Sequence, residues 1–145
     1  MDTLQAVIEA LYTRLTTDLA LQGFFPGATV QCFLEWAEQD ASFPYLVIRL
    51  DTASDEFMED GDFVVDVWDS ASNADRALDI RGRVRALLYQ YSFTTAGGEV
   101  GAARLGRPRL DQAIPDEEPD VWRREITFPI RFFDRQEVVA VGHGP

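Results

Sequence analysis

The feature that most constrains the fold of this chain is a strand–strand–helix succession within residues 43–91. Residues 45–51 and 62–69 place aliphatic and aromatic side chains at every second position, which is typical of half-buried strands. Beyond them, apolar residues recur every three or four positions, which predicts a helix that begins near Ser72. Ser72 and Asp75 resemble a capping box with the shorter acid in place of glutamate. When a sheet with one apolar face packs against a helix with one apolar stripe, the apolar face and the apolar stripe are both buried.

Further elements are predicted on both sides of this succession. An amphipathic helix, capped by Asp2 or Thr3, begins the chain. Residues 29–34 form a weaker strand, and a third strand covers residues 103–111. The polar segment before the central strands is predicted to be a loop, which carries the lone aromatic residue Trp36.

The last predicted strand covers residues 120–134 and has a well-defined register. Apolar side chains occupy one of its faces, and a shift of one residue would bury arginines instead. Pro129 has no N–H to donate to a ladder, which predicts an edge strand, a bulge or an end of pairing there. The whole pattern predicts an α+β fold. Its sheet is mostly antiparallel with four to five strands, and two main helices pack on one face.

Length and composition bound the class of protein. The 145 residues fit one domain, and we assign residues 1–135 to it and residues 136–145 to an extension that is flexible or forms an interface. No apolar run approaches the roughly 20 residues that cross a bilayer, and the early acids are unlike a signal peptide. Cys32 is the only cysteine, which excludes an internal disulfide and a thiolate zinc site and indicates a reducing, cytosolic origin.

Residues that commonly carry chemistry form no recognisable constellation. His143, the only histidine, lies between glycines and lacks the partner and fixed orientation that a catalytic histidine needs. The acids of residues 51–62 do not follow the oxygen spacing of a calcium loop. No phosphate loop or dinucleotide fingerprint occurs. The sequence therefore predicts no catalytic, cofactor-binding or metal-binding residues.

The net charge of −12 excludes the basic footprint of a DNA-binding domain. One interpretation is solubility. The other is a surface that stays close to DNA without sticking to it. Composition leaves both interpretations open.

Several apolar residues have no place in the predicted core. Residues 51–62 are predicted to form an acidic loop between the two central strands. Its apolar pair, Phe57 and Met58, either folds back onto the chain or contacts a partner. Trp36, Val138, Val139 and Val141 are further apolar residues without a place in the predicted core.

Four segments carry a resemblance to a known family: ALYTRLTTDLAL, FPYLVIRLDTASD, VDVWDSASNADRALDIRGRVRALL and WRREITFPIRF. Their succession resembles the tail completion (tail terminator) proteins of long-tailed, non-contractile bacteriophages, over about residues 4–133. These are pattern-level features and include no catalytic signature. Residues 29–36 and those after Arg135 fit the pattern less well.

The resemblance implies a structural virion protein without enzymatic activity or cofactor. Such proteins assemble on themselves as a ring, usually of six subunits, at the head-proximal end of the tail tube. The ring stops tube growth, contacts the tail tube protein and joins the head connector or stopper protein, while DNA passes through its lumen as a non-specific neighbour. For such a ring, the candidate interface residues are Phe57, Met58, Trp36, Val138, Val139 and Val141. We hypothesise that the acidic loop contacts a neighbouring subunit or the tube; the alternative is that it faces the lumen through Asp55, Glu56, Glu59 and Asp60. The expected location is the virion tail, and the host cytoplasm during assembly, with no membrane partner.

Other functions remain as alternatives. A head-side connector or stopper, or a tube-initiating protein, uses a similar small α+β fold. A small-ligand-binding or enzymatic domain that uses some of the 25 acids predicts a pocket in which several acids converge. A nucleic-acid binder is disfavoured by the charge.

Overall fold

The computed structural model describes residues 2–38, 40–55 and 58–134. In chain order the elements are α1 (Thr3–Thr16), α2 (Leu19–Gln22), β1 (Cys32–Leu34), β2 (Tyr45–Asp55), β3 (Met58–Ser70), α3 (Ala74–Leu88), β4 (Ser92–Phe93), β5 (Val100–Leu105), β6 (Leu110–Ala113) and β7 (Val121–Asp134). Short 3-10 turns at Pro26–Ala28 and Ala71–Asn73 precede β1 and α3. Within these residues no helix is both long and apolar enough to cross a membrane.

The strands form one seven-stranded sheet in the order β1-β2-β3-β7-β5-β4, with β6 also paired to β7. β1 and β2 run parallel, and the other described pairs run antiparallel. The predicted α+β class with a mostly antiparallel sheet is therefore confirmed. The strand number exceeds the predicted four to five, because the predicted third strand is divided into β5 and β6 and the two-residue β4 leaves no periodic signal.

One face of the sheet carries the core, and α1 and α3 cover it. α1 packs against β2 and β5, while α3 packs against β3 and β7. Phe63, Phe128 and Phe132 are the largest side chains that are fully buried there. Burial of each contributes roughly 1.5–3 kcal/mol relative to an exposed position. The predicted packing of two main helices on one face is thus confirmed.

The two main helices begin differently. As predicted, Asp2 caps α1, because its carboxylate accepts a hydrogen bond from the backbone N–H of Gln5 at 3.2 Å. The predicted capping box of α3 is wrong, since Ser72 lies in the preceding 3-10 turn, ahead of the helix cap. The first turn of α3 is held instead by Arg76, which forms an ion pair at 2.6 Å with the buried Asp69.

The prediction of an acidic loop over residues 51–62 is wrong. β2 and β3 stay paired as far as Asp55 opposite Met58, so only residues 56 and 57 separate the two strands. On its other side, β3 stays paired with β7 as far as Met58 opposite Phe133. β2 and β3 therefore form a long β-hairpin, and we call residues 55–59 the hairpin end.

Arginines beside the hairpin explain why its acids adopt extended structure. Asp60 accepts a hydrogen bond from Arg131 at 3.2 Å, and Asp62 accepts one from Arg109. Aspartate is depleted in strands, so the sequence pattern resembled a loop. Opposite charges on neighbouring chain segments offset that preference.

Pro129 coincides with the break between β5 and β6. Its carbonyl accepts a hydrogen bond from the N–H of Gly106 at 2.8 Å, and the carbonyl of Thr127 accepts one from Arg109 at 2.7 Å. The N and C=O groups of one strand residue point to the same side, so the missing N–H of Pro129 faces this break. The ladder with β3 consequently loses no donor, and a break in pairing was one of the predicted alternatives.

Substitution of Gly61 tests the close approach of β2 and β3. A Cβ on Gly61 would lie 2.7 Å from the Cα of Thr52, so Gly61→Ala forces the two strands apart. We expect the free energy of unfolding to fall by about 1–3 kcal/mol. Gly82 is the control: it lies within α3 with nothing within 4 Å of an added Cβ, and Gly82→Ala should raise that free energy by about 0.5–1 kcal/mol. Chemical denaturation measures both values, and an unchanged Gly61→Ala protein would contradict the close approach.

Candidate functional site

The face of the sheet opposite α1 and α3, here called the outer face, is the candidate functional surface. Register and alternation place on it Tyr45, Val47, Arg49, Asp60, Asp62, Val64, Asp66, Trp68, Ser92, Ala102, Arg104, Arg123, Glu125, Thr127, Pro129, Arg131 and Phe133. Charged and aromatic side chains dominate this set, whereas the covered face is apolar. The two faces of the sheet therefore differ in what they can contact.

A buried ion network occupies the centre of the outer face. Asp66 is 3% exposed, and it accepts hydrogen bonds from Arg49 at 3.3 Å and from Arg123 at 3.1 Å. Burial raises the pKa of Asp66, and the positive charge of Arg123 opposes that rise. Arg49 also donates to Glu125 at 3.5 Å. Because each carboxylate faces a guanidinium, this network holds the face rigid rather than providing an unpaired acid and base.

An aromatic stack borders this network. The ring of Tyr45 lies 5.5 Å from that of Phe43 and 5.8 Å from that of Trp68, in stacked geometry. The guanidinium of Arg123 lies 4.7 Å above the Trp68 ring. These rings use one another and an arginine as stacking partners, so they favour cross-strand packing over the binding of nucleic-acid bases.

A groove of about 820 Å³ lies at the other end of the outer face, over β7, β5 and β4. Gly101, Ala102 and Gly106 leave room for it, because they have small side chains or none. Arg104 and Phe133 are among the larger side chains that line it. The groove is therefore an open depression with both apolar and cationic lining.

Arg104 differs from most arginines of the chain. Among residues 2–38, 40–55 and 58–134, only Arg104 and Arg107 are arginines whose side chains make no ion pair, hydrogen bond or ring contact. The second arginine of the groove, Arg131, pairs with the exposed Asp60 at 3.2 Å. Surface pairs of this kind contribute only about 0–1 kcal/mol. The groove thus presents one unpaired cation and one weakly paired cation in a chain of net charge −12.

The predicted interface residues do not lie together. Trp36 is 79% exposed and follows β1, at the opposite edge of the sheet from the groove. Met58 begins β3, where it is half-buried opposite Phe133. Phe57, Val138, Val139 and Val141 lie outside the described residues.

Three of the four predicted lumen-facing acids belong to strands rather than to a loop. Asp55 ends β2, and Glu59 and Asp60 follow Met58 in β3. Asp60 is exposed on the outer face, and Glu56 lies outside the described residues. Their orientation toward a lumen stays a prediction.

Sequence reasoning missed two residues of the groove. Phe133 is 47% exposed, and it belongs to the same alternation that places Arg131 on the outer face. The pattern therefore contained a signal for Phe133. It contained none for Arg104, because the break between β5 and β6 hides the register of that strand.

A second charged cluster fastens α3 to the sheet. Asp111 of β6 accepts hydrogen bonds from Arg81 and Arg85 of α3 and from Arg124 of β7. The Arg85 contact is 2.7 Å long and the Arg124 contact is 2.5 Å long. Burial would raise the pKa of Asp111, but the hydrogen bonds from the three arginines outweigh burial and lower the pKa to about 2.

The described residues offer little for catalysis. They contain no group of three or more histidine, cysteine, aspartate or glutamate side chains that could hold a metal ion. Burial raises the pKa of Cys32 to about 12, so its thiol stays protonated and unreactive at neutral pH.

Comparison with known proteins identifies one family and a shared fold. The family model described as "Tail completion protein gp17" matches residues 9–132. A chain from the virion of a native gene transfer agent (GTA) particle is 21% identical, with a TM-score of 0.67 over 85% of this chain and 91% of that chain. A second solved structure is 16% identical, with a TM-score of 0.61 over 88% of this chain and 94% of that chain. A search of the curated proteins found no match.

The Asp111 cluster predicts a pH-dependent loss of stability. The folded pKa of about 2 lies below the unfolded value of about 3.9, so the ion pairs stabilise the fold above about pH 4 and lose this effect as the pH falls toward 2. Asp111→Asn should lower the free energy of unfolding by about 2 kcal/mol at pH 7 and by less at about pH 3. Denaturant titration at both pH values measures this. Asp120→Asn, at an exposed position, is the control, and an equal loss at both pH values for Asp111→Asn would contradict the charge mechanism.

Proposed function

This chain belongs to the tail completion protein gp17 family, and we propose that it forms a ring at the head-proximal end of a phage tail tube. The family consists of structural proteins of the phage virion and is not an enzyme family. The finer proposal is that the ring has six subunits, stops growth of the tube and provides the surface that joins the head. DNA passes through its lumen.

The observation that carries this proposal is the division of the sheet into two unlike faces. One face is buried under α1 and α3, while the outer face is supported by a buried ion network and carries an open groove. A ring of identical subunits needs two different patches that fit each other on neighbouring copies. The groove and the hairpin end are two such patches on one subunit. The likeness to a chain of a gene transfer agent virion supports a place in a phage-like particle.

The charge of the chain is compatible with a lumen for DNA. A net charge of −12 disfavours strong phosphate contacts, which would slow the passage of a genome. Asp55, Glu56, Glu59 and Asp60 are the candidates for the lumen-facing residues. The alternative is that these acids contact a neighbouring subunit.

The domain boundary follows from the same reasoning. We assign residues 1–135 to the ring-forming domain and residues 136–145 to an extension that includes Val138, Val139 and Val141. A family match over residues 9–132 is compatible with this division.

The competing roles within the virion are a head-side connector or stopper and a tube-initiating protein. Each predicts a different binding partner: portal rings for a connector and tube protein that has not yet polymerised for an initiator. The groove volume of about 820 Å³ also falls in the range of ligand pockets, about 300–1,000 Å³. Its lining contains one acid, Asp60, rather than several convergent acids, which disfavours an acid–base enzyme.

Loss of the protein should leave tails of uncontrolled length that do not join heads. The reason is that nothing would then cap the growing tube or provide the head-joining surface. Electron microscopy of particles assembled with and without the protein measures tail length and the fraction of tails joined to heads. Tails of normal length without it would reject the tube-stopping role, even if they failed to join heads.

The hairpin end is expected to contribute to assembly. Replacing both Phe57 and Met58 by serine should raise the concentration required for ring formation at least about tenfold, because truncating the few dominant side chains of an interface costs about 2 kcal/mol or more. Size-exclusion chromatography with light scattering, with and without tail tubes, measures this. The control replaces Leu19 and Leu78, two exposed leucines on helices, by serine. Equal assembly of both variants would reject a role for the hairpin end.

A further inference from the structure

We propose that the groove on the outer face receives the hairpin end of a neighbouring copy, with Arg104 facing the acids that flank Phe57. This inference rests on the ring assembly proposed above and specifies which two patches meet. The groove belongs to one subunit and the hairpin end, residues 55–59, belongs to the next.

The volume and lining of the groove fit an apolar side chain such as that of Phe57. Gly101, Ala102 and Gly106 leave space in the groove, because they have small side chains or none. Phe133 adds an exposed aromatic ring to the lining. The hairpin end has the sequence Asp-Glu-Phe-Met-Glu, in which one aromatic residue lies between acids. An aromatic anchor in a pocket with charged residues at the rim is the usual arrangement of an energetically dominant contact.

The charges of the two patches are complementary. Arg104 has no side-chain partner within the described part of its own chain, and Arg131 has only an exposed one. Across the interface, Asp55 and Glu56 would bring negative charge to this pair of arginines. Two copies that each carry a net charge of −12 repel, so a specific contact between them requires a local patch of opposite sign.

The topology leaves the groove open to a second copy. The ladders of β3 with β2 and with β7 both continue to Met58, which holds this part of the hairpin in the plane of its own sheet. The hairpin consists of β2 and β3, whereas the groove is lined mainly by residues of β7, β5 and β4 together with Asp60 of β3. Met58 of the hairpin end is paired with Phe133 of the groove, so the two patches lie side by side at one end of the sheet. A contact between them is head-to-tail, which is the type that closes rings.

A charge swap tests this contact. Arg104→Glu places a negative charge opposite the acids, and Glu56→Arg places a positive charge opposite the groove arginines. Each single variant should raise the concentration needed for ring assembly at least about tenfold, because like charges face each other. The double variant restores opposite charges and should return that concentration to within about threefold of the unmodified protein. Size-exclusion chromatography with light scattering, with and without purified tail tubes, provides the measurement.

Arg107→Glu is the matched control. Arg107 also lacks a side-chain partner among the described residues, but it is absent from the groove lining. Arg107→Glu makes the same change in net charge and should assemble like the unmodified protein. Unfolding midpoints of all variants confirm that the fold is retained.

The outcomes separate this inference from the ring proposal. If the unmodified protein forms no ring in either condition, the ring proposal fails and this inference fails with it. If rings form but Arg104→Glu assembles like Arg107→Glu, the groove contact is overturned and the ring proposal stands. If the double variant stays as defective as the single variants, the hairpin end is not the occupant. In that case, loss of assembly in a chain shortened after Asp134 would assign the groove to residues 135–145 instead.

Discussion

The pairing of β3 with β7 is the constraint on which the rest of the structure depends. These strands of 13 and 14 residues pair in one register from Ser70 opposite Val121 to Met58 opposite Phe133. β2 attaches to one side of the pair, β5 and β6 attach to the other, and α3 packs across both strands. A shift of one residue would expose the core phenylalanines and bury Asp66 under the helices without its arginines. One register therefore satisfies the core and the ion network together.

The second feature on which the structure depends is the exclusive use of arginine for permanent positive charge: the chain has 13 arginines and no lysine. The planar guanidinium offers several donors in fixed directions, so one side chain can serve two carboxylates, as Arg49 does for Asp66 and Glu125. Arginines also join separate elements: Arg83 of α3 forms an ion pair at 2.7 Å with Asp18, the residue that caps α2. In this way a strongly acidic chain pairs buried carboxylates such as that of Asp66 with its own arginines.

Periodicity predicted the elements whose side chains alternate between core and solvent. α1, the central strand pair and β7 all followed from it, because their burial is set by one covered face. The extension of β3 through Asp60 and Asp62 did not follow, since these acids are stabilised in extended structure by Arg131 and Arg109, which are distant in sequence. The capping box at Ser72 failed because a 3-10 turn occupies that position. The groove could not be predicted, because it depends on the register of β5 against β7 and on the break at residues 106–109.

The edges of the sheet have a consequence for how copies of this protein meet in a crowded cell. β1 has three residues and pairs with β2 only as far as Ile48, so the side of β2 beyond Ile48 faces no described strand. This row carries Arg49 and Asp51, and charged residues on an open edge oppose the edge-to-edge pairing of two sheets. Accidental polymerisation through the backbone is thereby disfavoured. Association is left to surfaces whose side chains select a partner and an angle.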